Sequence, residues 1–183
     1  MALLTKEEFA SIASEKAGNI RLTGVVNQSR KFSKSSSSTS IFLSHSHSEK
    51  SLVEQGKLFF ENLGISIYVD WADETMPDKP NAVTAQKIKN QIISSNDKFV
   101  LLATNQAVAS KWCNWEVGIA DPFKLPKKKI ALMPLADNNR TWNGNEYLNI
   151  YPRIERGTTD NKKYWVWYPD GTLETIIDWL KRP

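Results

Sequence analysis

Residues 98–120 read KFVLLATNQAVASKWCNWEVGIA, and the order of their parts decides the fold. Phe99-Val100-Leu101-Leu102-Ala103 is an unbroken apolar run with no polar alternation, as in a strand covered on both faces. Ser110 then stands where a helix N-cap belongs, ahead of a segment with apolar residues at helical spacing. A doubly covered strand feeding a helix is the unit of a parallel α/β sheet, since parallel neighbours need a crossover and the crossover covers a face.

The same alternation extends in both directions. Upstream, Ile41-Phe42-Leu43 is a first strand, and Leu52, Val53, Phe59, Phe60 and Leu63 make a helix that Ser51 and Glu54 are spaced to box and Gly64 to stop. Ile65 to Val69 is a second strand, followed by an Asp- and Pro-bearing loop from Asp70 to Pro80 and a helix with Val83, Ile88 and Ile92 on one side. Downstream, Lys129 to Met133 and Tyr164 to Tyr168 read as fourth and fifth strands, and Leu173, Ile176, Ile177 and Leu180 as a closing helix. The pattern predicts a flavodoxin-like three-layer α/β fold with a five-stranded parallel sheet in the order 2-1-3-4-5. In such sheets the ligand site lies beyond the C-terminal strand ends, where the strand order reverses. The loops there lack both G-x-G-x-x-G and the Walker pattern, which disfavours Rossmann hydride transfer and P-loop phosphoryl transfer.

Composition bounds the rest. The chain has 183 residues, 40% hydrophobic and 24% charged, enough for one sizeable core. No apolar run approaches the roughly 18 residues of a membrane span, and the N-terminus lacks a secretory pattern, so a cytoplasmic, non-membrane setting is expected. The lone Cys113 forms no internal disulfide, and with only His45 and His47 beside it no structural zinc site is expected. Residues 1–40 hold six basic and three acidic residues, and residues 41–183 hold eighteen and seventeen, so the main body is almost neutral. Nucleic acid is therefore not an expected partner. The Ser-rich run at 33–40 reads as a flexible linker between a 1–32 leader and a 41–183 domain. Thr5 and Glu8 have capping-box spacing, which predicts one leader helix at about 5–17.

The helix after Ser110 is the most informative segment for chemistry. At about 100° per residue, Glu116 falls about 40° from Trp112, within the apolar arc that also holds Cys113, Trp115, Ile119 and Ala120. A carboxylate there must be paired, hydrogen-bonded or facing a cleft. It reads either as a structural Glu or as a site residue; Trp115 and Cys113 read as core, and Trp112 as a ring that packs or one that stacks on a ligand. His45 and His47 alternate around Ser46 just past the first strand, as solvated loop residues or with one turned to the site. Asp70, Trp71 and Asp73 follow the second strand, as ligand contacts or loop caps.

The segments IFLSHSHSEK, GISIYVDWADETMP, DKFVLLATNQAVASKWCNWEVGIA and YPDGTLETIIDWL resemble, in the right order, a bacterial Toll/interleukin-1 receptor (TIR) domain, and the S-x-W-C-x-x-E run is the most specific part. The resemblance implies that Glu116 is the catalytic residue of an enzyme cleaving NAD+ between nicotinamide and ribose. Trp112 would lie by the nicotinamide end, and Ser44, His45 and Ser46 of the 44–48 loop would contribute to the nucleotide site. The animal receptor's R-D-x-x-P-G loop is absent, since Asp73-Glu74-Thr75-Met76-Pro77-Asp78 keeps the proline and loses the Arg and Gly. The resemblance further implies NAD+ as substrate with no cofactor, self-association through TIR surfaces including the Trp71–Pro80 loop, and a separate effector answering to the product in anti-phage defence. Two other readings remain: a non-catalytic module that associates with other TIR domains, and a nucleoside deoxyribosyltransferase on a similar fold.

Overall fold

A computed structural model describes residues 3–21, 39–75, 81–158 and 163–183. Eight strands among them form one sheet: β1 (Leu4–Thr5), β2 (Ser40–Ser44), β3 (Ser66–Tyr68), β4 (Lys98–Ala103), β5 (Ile130–Ala136), β6 (Arg153–Arg156), β7 (Tyr164–Trp167) and β8 (Leu173–Thr175). The helices are α1 (Lys6–Arg21), α2 (Lys50–Glu61), α3 (Ala82–Asn90), α4 (Asn105–Ala109), α5 (Lys111–Lys124) and α6 (Ile176–Lys181). Strands run β3-β2-β4-β5-β6-β7-β8, with β1 added to the end of β5 through Leu135 and Ala136. Pairing from β3 to β6 is parallel, so the expected five-stranded order is present.

Alternate residues of the central strands feed two cores. Ile41, Leu43, Val100, Leu102, Ala131 and Met133 face one side with Phe9, Phe59, Phe60 and Trp179 of α1, α2 and α6. Phe42, Phe99, Leu101, Ile130 and Leu132 face the other with Ile88, Ala107, Cys113, Val117 and Ala120 of α3, α4 and α5. Gly56 lets α2 lie close on the sheet, because a Cβ there would sit 2.9 Å from Leu102 Cδ1. Gly64, at φ 80°, makes the left-handed turn from α2 into β3.

Several expectations need correction. The fifth parallel strand is Arg153–Arg156; Tyr164–Trp167 lies beyond it and runs antiparallel. Leu173, read as helical, is in β8, and α6 starts only at Ile176 behind the N-cap Thr175. Helix α2 begins at Lys50 after a tight turn at His47–Glu49, so Ser51 and Glu54 lie inside it, and Val83 of α3 points to solvent, 57% exposed. In the leader the Thr5/Glu8 capping box forms, α1 continues past residue 17 to Arg21, and Phe9 is fully buried with its ring 5.5 Å from Phe59. Most of the 33–40 run lies outside the described residues, and Ser40 opens β2.

Candidate active site

The C-terminal ends of β2 and β3 meet the start of α5. Ser110 caps α5, its hydroxyl accepting from the Cys113 N–H at 3.3 Å, and Cys113, Val117 and Ala120 then anchor the helix to the sheet. That register brings Glu116 over the end of β2, where the Ser44 hydroxyl donates to Glu116 Oε2 at 2.5 Å. One turn earlier the Cys113 thiol donates to the His45 carbonyl at 3.1 Å. Two side chains of α5 thus hold the two residues at the strand end.

Glu116 is 2% exposed, and burial pushes its carboxyl up to about 8. The Ser44 bond opposes that rise, the Asp70 charge adds to it, and the nearby Trp112 indole opposes it weakly. The Trp112 N–H is buried without completing a hydrogen bond, so its influence on Glu116 is through proximity. Cys113 is driven up to about 11, mainly by burial, which makes it an anchor and not a nucleophile.

The two histidines take different positions around Asp70. His45 is buried and its Nδ1–H donates to the Leu43 carbonyl at 2.9 Å, leaving Nε2 3.6 Å from Asp70 Oδ1. Burial lowers its pKa more than the Leu43 bond and Asp70 raise it. His47 is more than half exposed, with Nε2 3.2 Å from Asp70 Oδ2, and that contact outweighs its partial burial to raise its pKa. Burial raises Asp70, but the two imidazoles and the Trp71 N–H prevail and hold it below its ordinary value.

The remaining expected residues divide. Asp73 accepts from the Tyr68 hydroxyl at 2.9 Å and from the Thr75 hydroxyl and N–H, so both its oxygens fold the loop. Ser46 pairs with Ser48 at 2.9 Å, and Trp71 is exposed with the Lys50 ammonium 5.8 Å from its ring centroid. Residues 76–80 of the same loop lie outside the described residues. Trp115, expected in the core, is only half-buried and lies against Trp112 at a centroid distance of 4.8 Å.

Sequence reading missed Glu49, which closes the loop on its far side. It meets Lys6 Nζ at 2.8 Å and accepts from the Thr104 hydroxyl at 2.5 Å, joining the ends of β1, β2 and β4. Its position three residues before Leu52 in an exposed-looking SHSHSEK gave no signal. Among the described residues no group of three His, Cys, Asp or Glu is placed to hold a metal ion, and no helix is long and apolar enough to cross a membrane.

Comparison with known proteins adds two findings. A family model described as "TIR domain" matches residues 41–156. A protein of Bacillus cereus (strain MSX-D12), named "Probable 3' cyclic ADP-D-ribose synthase ThsB'", is 30% identical over 149 residues, covering 78% of this chain and 75% of the relative.

Proposed function

Because this chain belongs to the TIR domain family, we propose that it cleaves NAD+ at the nicotinamide–ribose bond with Glu116 as the stabilising carboxylate. The observation that carries the reading is a Glu buried to 2% at the strand ends, held by a serine hydroxyl at 2.5 Å, on the helix that the family match includes. Glycosidases ordinarily need a second carboxyl group to protonate a departing oxygen. Nicotinamide leaves NAD+ as a neutral molecule, taking the electron pair of the C–N bond, and requires no acid. One ionised carboxylate then suffices to offset the positive charge that grows on the ribosyl centre.

Capture of that centre sets the product. Water, losing a proton, gives ADP-ribose; a nucleophilic atom of the same dinucleotide gives a cyclic isomer. The relative's name favours the cyclic outcome. The half-buried Trp112 beside Glu116 is suited to holding a planar ring over the reacting carbon and keeping water away. His45 and Asp70 form the adjoining wall of the substrate site. Self-association through the loop beginning at Trp71 would complete the site, and a cyclic product would act on a separate effector in defence signalling.

The test incubates concentrated protein with NAD+ and separates nicotinamide, ADP-ribose and cyclic products by mass. Nicotinamide release that falls by about 10²–10³ in a folded Glu116→Gln protein supports the reading. A burial of 2% with one serine partner is also what a structural Glu displays, so the second reading is a non-catalytic TIR interaction module. Intact NAD+ at every protein concentration favours that module.

A further inference from the structure

Ser44 was expected at the nucleotide, yet its hydroxyl has a single hydrogen and gives it to Glu116 Oε2 at 2.5 Å. Ser44 is itself 1% exposed and is the last residue of β2, whose backbone pairs with β4 at Leu101 on the other side. It is therefore fixed by the sheet, and the carboxylate of α5 is fixed by it. On the basis of the NAD+-cleaving reading above, we infer that Ser44 is a positioning residue: it clamps Oε2 of Glu116, aims the other oxygen at the ribose, and keeps the carboxyl ionisable inside an apolar wall.

The surroundings show why a clamp is needed. From β3 and the turn after it, Tyr68 and Asp70 face Glu116; from α5, Trp112 and Cys113 flank it; from the end of β2 come Ser44 and His45. Asp70 repels a second negative charge, Cys113 and Tyr68 are held neutral by burial, and His45 is held toward its neutral form. The Ser44 O–H is the completed hydrogen bond to the carboxylate among the described residues, and a bond to an ionised group is the strong kind. Trp112, with its N–H left unpaired, assists without completing a bond. The clamp also explains why α5 reaches the strand end twice: Cys113 holds the His45 backbone while Ser44 holds Glu116, so the two contacts fix both the position and the rotation of the first two turns.

A positioning role predicts a particular kinetic signature. The free enzyme needs Glu116 ionised, so kcat/KM should rise with pH along an acid limb governed by that carboxyl. Loss of the Ser44 donor disfavours the carboxylate, and the limb moves to higher pH.

The experiment measures kcat/KM for NAD+ from about pH 5.5 to pH 9.5 in wild type, Ser44→Ala, Ser44→Cys under reducing conditions, and Ser44→Thr. In Ser44→Ala and Ser44→Cys the limb should move up by about one pH unit, with about a tenfold loss at neutral pH that narrows as the pH rises. Ser44→Thr, which keeps the hydroxyl, should restore a limb close to that of wild type. Ser44→Cys fills the serine's volume, so it carries the comparison if Ser44→Ala fails to melt cooperatively. A loss uniform across the pH range, or equal limbs in all four proteins, overturns the assignment. Wild-type protein that leaves NAD+ intact overturns the NAD+-cleaving reading instead, and the two failures are distinct.

Discussion

The rings of Trp112 and Trp115 lie 4.8 Å apart and are tilted by 38°, so the two indoles form one half-buried aromatic ledge beside Glu116. Lys89 of α3 places its ammonium 5.9 Å from the Trp115 ring centroid. Trp112 borders the carboxylate, and Trp115 packs against Trp112.

Truncating each ring should separate those roles. Trp112→Ala should lower nicotinamide release or shift the cyclic-to-linear ratio at a small cost in melting temperature. Trp115→Ala should disturb both, because it removes packing from the core edge and the backing of Trp112. Its stability cost should fall below the about 3–5 kcal/mol typical of a fully buried aromatic. Product analysis by mass with parallel thermal melts checks this, and identical profiles for the two variants would refute the division.

A second expectation follows from the burial of Glu116. Its folded pKa is raised from 4.5 to about 8, so between those values the folded state binds the proton that the unfolded chain has released. Its contribution to stability is complete below pH 4.5 and is lost as the pH rises through about 8. Glu116→Gln, neutral at every pH, should therefore melt close to wild type near pH 5 and about 5 °C or more above it near pH 8.5. A constant difference across that range would mean that Glu116 is not buried as described.

The Asp70–His47 contact titrates in the opposite direction from the acid side. His47 has its pKa raised by Asp70, so its share of stability is full below 6.5 and disappears as the pH climbs through its raised folded value. Asp70 is lowered, so its share is present above 3.8 and is lost as the pH falls through its folded value. The pair is worth most between those limits, and the exposure of His47 keeps that worth under about 1 kcal/mol. Asp70→Asn should thus be more destabilising near pH 5.5 than near pH 8.5, where relief of Glu116 also helps the variant. Melting curves at the two values decide it, and a deficit that grows with pH would contradict the pairing.

What the sequence made legible was set by how local each signal is. Phe99 to Ala103 announced a doubly covered strand within five residues, and Ser110 announced α5 by its own capping geometry. Arg153–Arg156 gave no such sign: only Ile154 is apolar, and the strand exists because β5 and β7 pair with it. Helical spacing indicated that Glu116 was buried but not its partner, since Ser44 lies 72 residues away and meets it only through the packing of α5 on the sheet. The capping box marked α1, whereas its docking depends on Phe59, which no spacing rule connects to Phe9.

The N-terminal segment should matter to the site in two separable ways. Phe9 fills the core between α1 and α2, so Phe9→Ala should cost about 3–5 kcal/mol and lower the melting temperature sharply. Lys6 acts elsewhere: its ammonium bridges Glu49 and Asp137 at 2.8 Å each, and Glu49 follows His47 by two residues. The bridge fixes the far end of the loop whose near end carries Ser44 and His45. Because Lys6 is partly exposed, its ion pairs add little to global stability, and Lys6→Met should shift the melting temperature by only a few degrees. A loop released at Glu49, however, holds His47 and Asp70 less well, so kcat/KM for NAD+ should fall by about three- to tenfold, with Lys6→Arg recovering most of it. If Lys6→Met instead loses stability as Phe9→Ala does, or retains full kcat/KM, the N-terminal segment stabilises the fold without setting the loop.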